Sequence, residues 1–275
     1  MIIDDLSFIE IIHLISIGLC DYDFQTHVAA DIASENLFLP GQKTVTQSHL
    51  DKLADWTKSA KMKLNTDKSK YMVFNFTRNH QFSTRLHLEN QVLEQVTETR
   101  LLGLIISEDL SWQRNTEALI KKANARMSIL HNLGSFDLPT DEMINIYVLY
   151  IRSVVEYSSV VWHSSLTQED SNSLERVQKT ALKIILKDNY VDYYHALNLV
   201  DLETLFDRRE KLCIKFATQC VKNKKMADMF PLKSKVVNTR EHERYYVQPA
   251  FTDRLKYSAI PYMQRLLNKK NKQNK

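Results

Sequence analysis

PTDEMINIYVLYIRSVVEYSSVVW, residues 139–162, is the stretch whose reading decides the fold. Pro139 and Thr140 followed by Asp141 and Glu142 predict a helix start, with early acids matched to the positive end of the helix dipole. Beyond them Met143, Tyr147, Tyr150, Val154, Tyr157 and Val161 line one face. Ile144, Val148, Ile151, Val155 and Trp162 line the adjacent face. A helix apolar on two adjacent faces belongs at the buried centre of a helical bundle.

Helical signals extend to both sides. Upstream, Leu119, Ala123, Met127 and Leu130 recur at a 3.6-residue period, and Gly134 suits the helix exit. Downstream, Thr167 with Asp170 has capping-box spacing. The helix it opens turns Leu174, Val177, Ala181 and Ile184 inward, with Arg176, Lys179, Lys183 and Lys187 on another stripe. Leu199, Leu202, Leu205, Leu212 and Phe216 continue the helical region around Arg208-Arg209. After Lys222 the chain is basic and less patterned, and it ends in Lys269, Lys270, Lys272 and Lys275, expected to form a solvated tail.

Before Trp112 the signals are mixed. Ser48 is placed to cap a helix through Leu50, Leu53, Trp56 and Ala60. Residues 70–76 are dense in aromatic and β-branched side chains and read as a strand. Residues 85–88 and 92–96 flank Glu89-Asn90 as a hairpin would, and residues 101–106 read as a short buried strand. The expectation is an α+β chain: a small-sheet region over 1–111, a helical bundle over 112–224 and a basic extension over 225–275.

Composition narrows the classes. The 4 Gly and 5 Pro argue against sandwiches, barrels and Gly-rich phosphate cradles, which need many special turns. A formal charge of +4 permits a polyanionic partner without requiring one. Cys20, Cys213 and Cys220 form no C-x-x-C pair and read as thiols of a reducing compartment. The apolar run from Phe8 to Leu19 follows Asp4 and Asp5 rather than a basic leader, and His13 interrupts it. These features predict a soluble intracellular protein that is neither secreted nor membrane-bound.

Asp4-Asp5 open the chemical reading. Two adjacent carboxylates at a tight hairpin can share Mg2+, and two-metal nucleotidyl transfer places its ions roughly 3.5–4 Å apart. Taken alone, the pair reads first as a solvated acidic terminus. An ordered series follows it: Trp56, then Lys63-Leu64-Asn65-Thr66-Asp67-Lys68-Ser69-Lys70, then Phe74, then Arg100-Leu101-Leu102-Gly103-Leu104, then Asp109-Leu110-Ser111-Trp112. Further on stand Ile151-Arg152-Ser153-Val154-Val155-Glu156-Tyr157 with Trp162, Leu174-Glu175-Arg176-Val177-Gln178-Lys179 with Ala181 and Ile184-Ile185, Arg208-Arg209, and Ile260-Pro261 with Arg265-Leu266-Leu267-Asn268.

In this order the segments resemble the reverse transcriptases (RNA-directed DNA polymerases) of non-LTR retrotransposons, from the end of the palm through the thumb and the helical region after it. The resemblance covers nearly the whole chain. It implies a truncated palm-type sheet followed by a thumb-like helical bundle, with an RNA template and a DNA primer as partners. It implies Asp4 and Asp5 as catalytic Mg2+ ligands and Lys68 near the leaving pyrophosphate. A solvated turn lysine is the plainer reading of Lys68. Leu102-Gly103 would form the strand that grips the primer, and a packed strand is the plainer reading there. Lys122, Arg126, Arg176, Lys179, Lys183 and Lys187 would track a phosphate backbone, or form ordinary solvated helix faces. His49, His87, His131 and His163 read as packing or surface residues.

The chain also departs from the family pattern. Ile2 stands where the family places an aromatic ring beside the Asp pair. The fingers and the earlier palm carboxylate would precede Met1. The resemblance therefore implies a fragment inactive on its own, prone to self-association through an exposed palm remnant. The alternatives are a non-catalytic nucleic-acid-binding helical module and a protein-interaction module.

Overall fold

The structure is a computed structural model, and it describes residues 45–62, 64–74, 85–136, 138–233 and 244–273. The described residues fall into two compact units, 45–111 and 112–273.

In the first unit, helix α1 spans Val45–Ser59 and a single 3-10 turn spans Thr66–Lys68. Six short strands follow: β1 (Lys70–Tyr71), β2 (His87–Leu88), β3 (Gln91–Val92), β4 (Glu94–Gln95), β5 (Glu98–Leu101) and β6 (Leu104–Ser107). They pair as a parallel β1–β4 ladder and two antiparallel hairpins, β2–β3 and β5–β6. The hairpin expected at Glu89-Asn90 is present, with both residues at positive φ, as a two-residue turn between twisted strands requires. Ser48 lies inside α1 and does not open it. The buried face of that helix is Ala54 and Thr57 with Leu50, while Trp56 is exposed. Ala54, Leu86, Leu88 and Leu93 form the local core, covered by Leu50, Leu64 and Tyr71. The Gln47 side chain bonds both the N–H and the carbonyl of His87, at 2.9 Å each, and so stitches α1 to the edge of β2.

The stretch 101–106 is not one strand. Leu102 and Gly103, at φ 48° and 87°, form the turn that closes β5 on β6. Glycine accepts this backbone without strain, but leucine does so at a cost. Leu104 and Ile106 face inward from β6.

The second unit is helical. Helix α2 spans Gln113–Gly134 and α3 spans Thr140–Ile146. A wider π-helical turn follows over Tyr147–Arg152, then α4 (Ser153–Val155), α5 (Ser159–Trp162), α6 (Gln168–Leu186), α7 (Tyr193–Leu199), α8 (Leu205–Lys222), α9 (Asp253–Lys256) and α10 (Ala259–Gln273). Helix α6 packs against α2, α3, α7 and α8, and α10 packs against α5 and α8. Thr167, Asp192 and Thr204 cap α6, α7 and α8 by accepting from the backbone N–H three residues on. Gly134 ends α2 inside the helix and does not exit it.

The stretch expected as one long central helix breaks at residues 156–158. Ser158 sits at φ 49°, and the Trp162 indole N–H donates to the Tyr157 carbonyl (3.0 Å), satisfying an acceptor that the break leaves open. The π turn carries Tyr147 and Ile151 fully inward and leaves Leu149 and Tyr150 on the surface. Tyr157 is exposed as well, so one of the two expected apolar faces is only partly buried.

Of the residues expected as a solvated tail, Lys269, Lys270 and Lys272 are exposed on the last turns of α10, and Lys275 lies outside the described residues. Ile260, Met263, Leu266 and Leu267 are buried along it, while Lys269 and Lys270 stay outside. The lysines dominate the composition, but the apolar residues keep helical spacing, and that spacing decides packing. Among the described residues, no helix is long and apolar enough to cross a membrane.

Candidate nucleic-acid interface

Lys68 ends the 3-10 turn that Asn65 caps: the Asn65 side-chain oxygen accepts from the Lys68 backbone N–H at 3.1 Å. The Lys68 side chain is exposed immediately before β1. Leu102 is half-buried and Gly103 exposed at the tip of the β5–β6 hairpin. All three belong to the first unit. Asp4 and Asp5 lie outside the described residues. Among the described residues no group of three or more His, Cys, Asp or Glu is placed to hold a metal ion.

The α6 cations share one side of that helix. Its buried side is Leu174, Val177, Gln178, Ala181, Leu182, Ile185 and Leu186. At 100° per residue, Arg176, Lys179 and Lys183 all fall outside that arc, whereas Lys187 follows the last residue of the helix at φ 48°. Lys179 sits over the Tyr193 ring at 4.9 Å and Lys183 over the Tyr190 ring at 5.5 Å. Lys187 donates to the Gly134 carbonyl (2.8 Å) and ties α6 to the end of α2. Arg176 donates to the Ser173 hydroxyl at 3.2 Å.

The α2 cations do not join them. Arg126 stacks on Tyr150 at 4.3 Å and donates to the Tyr150 carbonyl at 2.5 Å, so it serves the π turn. Lys122 is exposed one turn earlier. The π turn meets the opposite side of α6, where Tyr147 reaches Gln178. The predicted single stripe is therefore two groups with different neighbours.

Sequence reading missed the polar centre that fixes the α6 face. Gln178 is fully buried; its side-chain oxygen accepts from the Tyr147 hydroxyl (2.6 Å). Its amide donates to the Tyr193 hydroxyl (3.0 Å) and the Glu203 carbonyl (2.8 Å). Tyr193 donates in turn to Glu175, which also accepts from the Leu205 backbone N–H (3.0 Å). Burial pushes the Tyr147 and Tyr193 hydroxyls far above the ordinary phenol value, and the neighbouring Glu175 adds to it. Both stay protonated and can donate. The Glu-x-x-Gln spacing of residues 175 and 178 was visible, but their partners lie 15 to 31 residues away in sequence.

A second buried group joins α5, α6 and α8. Arg209 is fully buried, donates to His163 Nδ1 (3.2 Å) and the Ser171 hydroxyl (3.3 Å), and lies over the Trp162 ring at 5.9 Å. Burial, with the Arg209 charge adding to it, lowers the His163 pKa to about 3, so the imidazole is a neutral acceptor. Burial also lowers the Arg209 pKa. Beside it, Glu156 binds Arg152 (3.3 Å) and Arg208 (3.2 Å). His163, read as packing or surface, is thus a buried partner. Burial likewise pushes the Cys213 thiol up to about 12.

No family model matches the chain, and no curated protein or solved structure matches it either.

Proposed function

We propose that these 275 residues are part of a non-LTR retrotransposon reverse transcriptase, covering the end of the palm, the thumb and the helical region after it. The observation that carries the proposal is the ordered series of segments from Asp4-Asp5 through Leu64-Asn65-Thr66-Asp67-Lys68 and Leu101-Leu102-Gly103 to Arg208-Arg209. Support from packing comes from the helical part. Segments 151–162 and 208–209 meet through Glu156 with Arg208 and Trp162 with Arg209, and Gln178 of segment 174–185 bonds Tyr147, just before the first of them.

In this reading the intact enzyme extends a DNA primer on an RNA template. Asp4 and Asp5 hold Mg2+, whose donor preference for hard oxygen ligands suits two carboxylates. Mg2+ bound there would supply positive charge for the attacking hydroxyl and the leaving pyrophosphate. Lys68, exposed and anchored by its capped turn, is available as a cation for the pyrophosphate. Leu102-Gly103 at the tip of the β5–β6 hairpin would contact the primer backbone, and the helical cations a nucleic-acid strand.

A second reading is a non-catalytic nucleic-acid-binding or protein-interaction module. It is favoured by the α6 cation face, which lies wholly within unit 112–273. Magnesium-dependent primer extension on an RNA template, with Asp4→Asn as control, separates the two. Extension abolished by Asp4→Asn supports the polymerase reading. Absence of extension, with RNA–DNA duplex binding that weakens steeply with salt, supports the module.

A further inference from the structure

The cations of unit 112–273 are not treated alike. Arg152 and Arg208 are paired with Glu156, Lys211 with Glu203, Arg114 with Glu117 and Lys269 with Glu210. Among the described residues, Arg176, Lys179 and Lys183 have no carboxylate partner. Two of them rest over tyrosine rings instead. A ring face orients an ammonium group and leaves its charge uncancelled, so the group still attracts an external anion. Residues 176, 179 and 183 are separated by about 4.5 and 6 Å along the helix axis, so the three charges form one row.

Aromatic rings border the same face. Tyr193 is held in place by Gln178 and Glu175 and carries Lys179 over its ring. The Tyr194 ring lies 5.7 Å from it and is 71% exposed. Val191 between the tyrosines is 72% exposed. Of the acids in this loop, Asp192 is occupied in capping α7, and Asp188 is exposed beside Lys187.

We propose that the α6–α7 face of Arg176, Lys179, Lys183 and Tyr194 binds single-stranded nucleic acid, with phosphates along the cations and an unstacked base on Tyr194. This rests on the nucleic-acid reading above and names its substrate class. An exposed tyrosine beside a row of uncancelled cations suits bases that are free to leave the stack. A duplex presents only its backbone, and Tyr194 would then have nothing to stack on.

The test is fluorescence anisotropy of the 275-residue chain with a 20-mer oligo-U, a 20-mer oligo-dT and an RNA–DNA duplex, over a salt series. The single strands are expected to bind at least tenfold more tightly than the duplex. Arg176→Glu with Lys183→Glu is expected to weaken single-strand binding tenfold or more and to flatten the salt dependence by at least one unit of slope. Tyr194→Ala is expected to weaken it about fivefold or more without changing the slope. Lys215→Glu on α8 is expected to leave it unchanged, and far-ultraviolet circular dichroism checks that each variant is folded. Duplex binding as tight as single-strand binding, and equally weakened by the cation variants, overturns the single-strand assignment and leaves the nucleic-acid reading standing. Single-strand binding unchanged in both the cation and the Tyr194 variants overturns the assignment of this face. Binding to none of the three at low salt overturns both.

Discussion

The two units solve the burial problem differently. Unit 45–111 relies on strands of two to four residues, paired only two at a time, with Ala54, Leu86, Leu88 and Leu93 in one small cluster and Leu104, Ile106 and Leu110 buried beside the β5–β6 hairpin. Unit 112–273 buries Tyr147, Ile151, Trp162, Leu174, Leu182, Leu205 and Met263 completely and saturates Gln178 at its centre. The difference is a matter of backbone accounting. A helix satisfies its own N–H and C=O groups, whereas a two-residue ladder needs neighbours to do so. Side-chain bonds such as those from Gln47 to His87 stand in for missing ladder partners in the first unit.

The largest expected effect tests whether the helical unit stands on its own core. Leu174→Ala should cost it about 3–5 kcal/mol, because Leu174 is fully buried between tightly packed helices. Leu88→Ala should leave that transition unmoved. Segment-resolved hydrogen exchange reads both, and equal loss of protection across the chain in either variant would erase the distinction between the units. Next comes the polar centre. Gln178→Ala should cost about 2–3 kcal/mol in urea denaturation by stranding the buried Tyr147 hydroxyl and the Glu203 carbonyl.

The buried imidazole gives the helical unit a pH signature. The folded His163 pKa, about 3, lies below its ordinary value. Its contribution is therefore fully present above about pH 6.5 and is lost as pH falls toward 3, by at most about 1.4 kcal/mol per pH unit. His163→Gln keeps an acceptor for Arg209 and removes the titration. The variant should show a shallower fall in stability between pH 6 and 4 in parallel melts.

The smallest effects belong to the front hairpin. Gly103→Ala should cost about 1 kcal/mol because φ is 87° there, and Leu102→Asn should gain several tenths of a kcal/mol by easing the positive φ. Both are measurable as exchange rates of β5 and β6 amides, with no change expected in α6.

Local patterns were legible where they needed no distant partner. Thr167 with Asp170 marked the start of α6, Pro139 to Glu142 marked α3, and Glu89-Asn90 marked a hairpin, each through contacts within four residues. Arg176, Lys179 and Lys183 share a side of α6, as the 3.6-residue period requires, while Lys187 lies past its end. Misreadings came where continuity of pattern was taken for continuity of backbone. Residues 101–106 are uniformly apolar yet reverse direction at Leu102-Gly103. Residues 143–162 keep helical apolar spacing across a left-handed Ser158. Of the candidate site, the sequence gives the cation row, while Asp4 and Asp5 lie outside the described residues.

The amino-acid order by itself determined an α+β chain dominated by helices after Trp112, the caps that start them and the charges they carry, because these depend on short-range periodicity and backbone chemistry. Tertiary structure alone decided which charges are cancelled. Glu156 meets Arg208 across 52 residues, and Arg209 is sealed against His163 across 46. Lys179 and Lys183 rest on tyrosines from the next helix and its loop. A charge is neutralised or left available by whatever the fold brings within a few ångströms of it, and no local pattern encodes that neighbour.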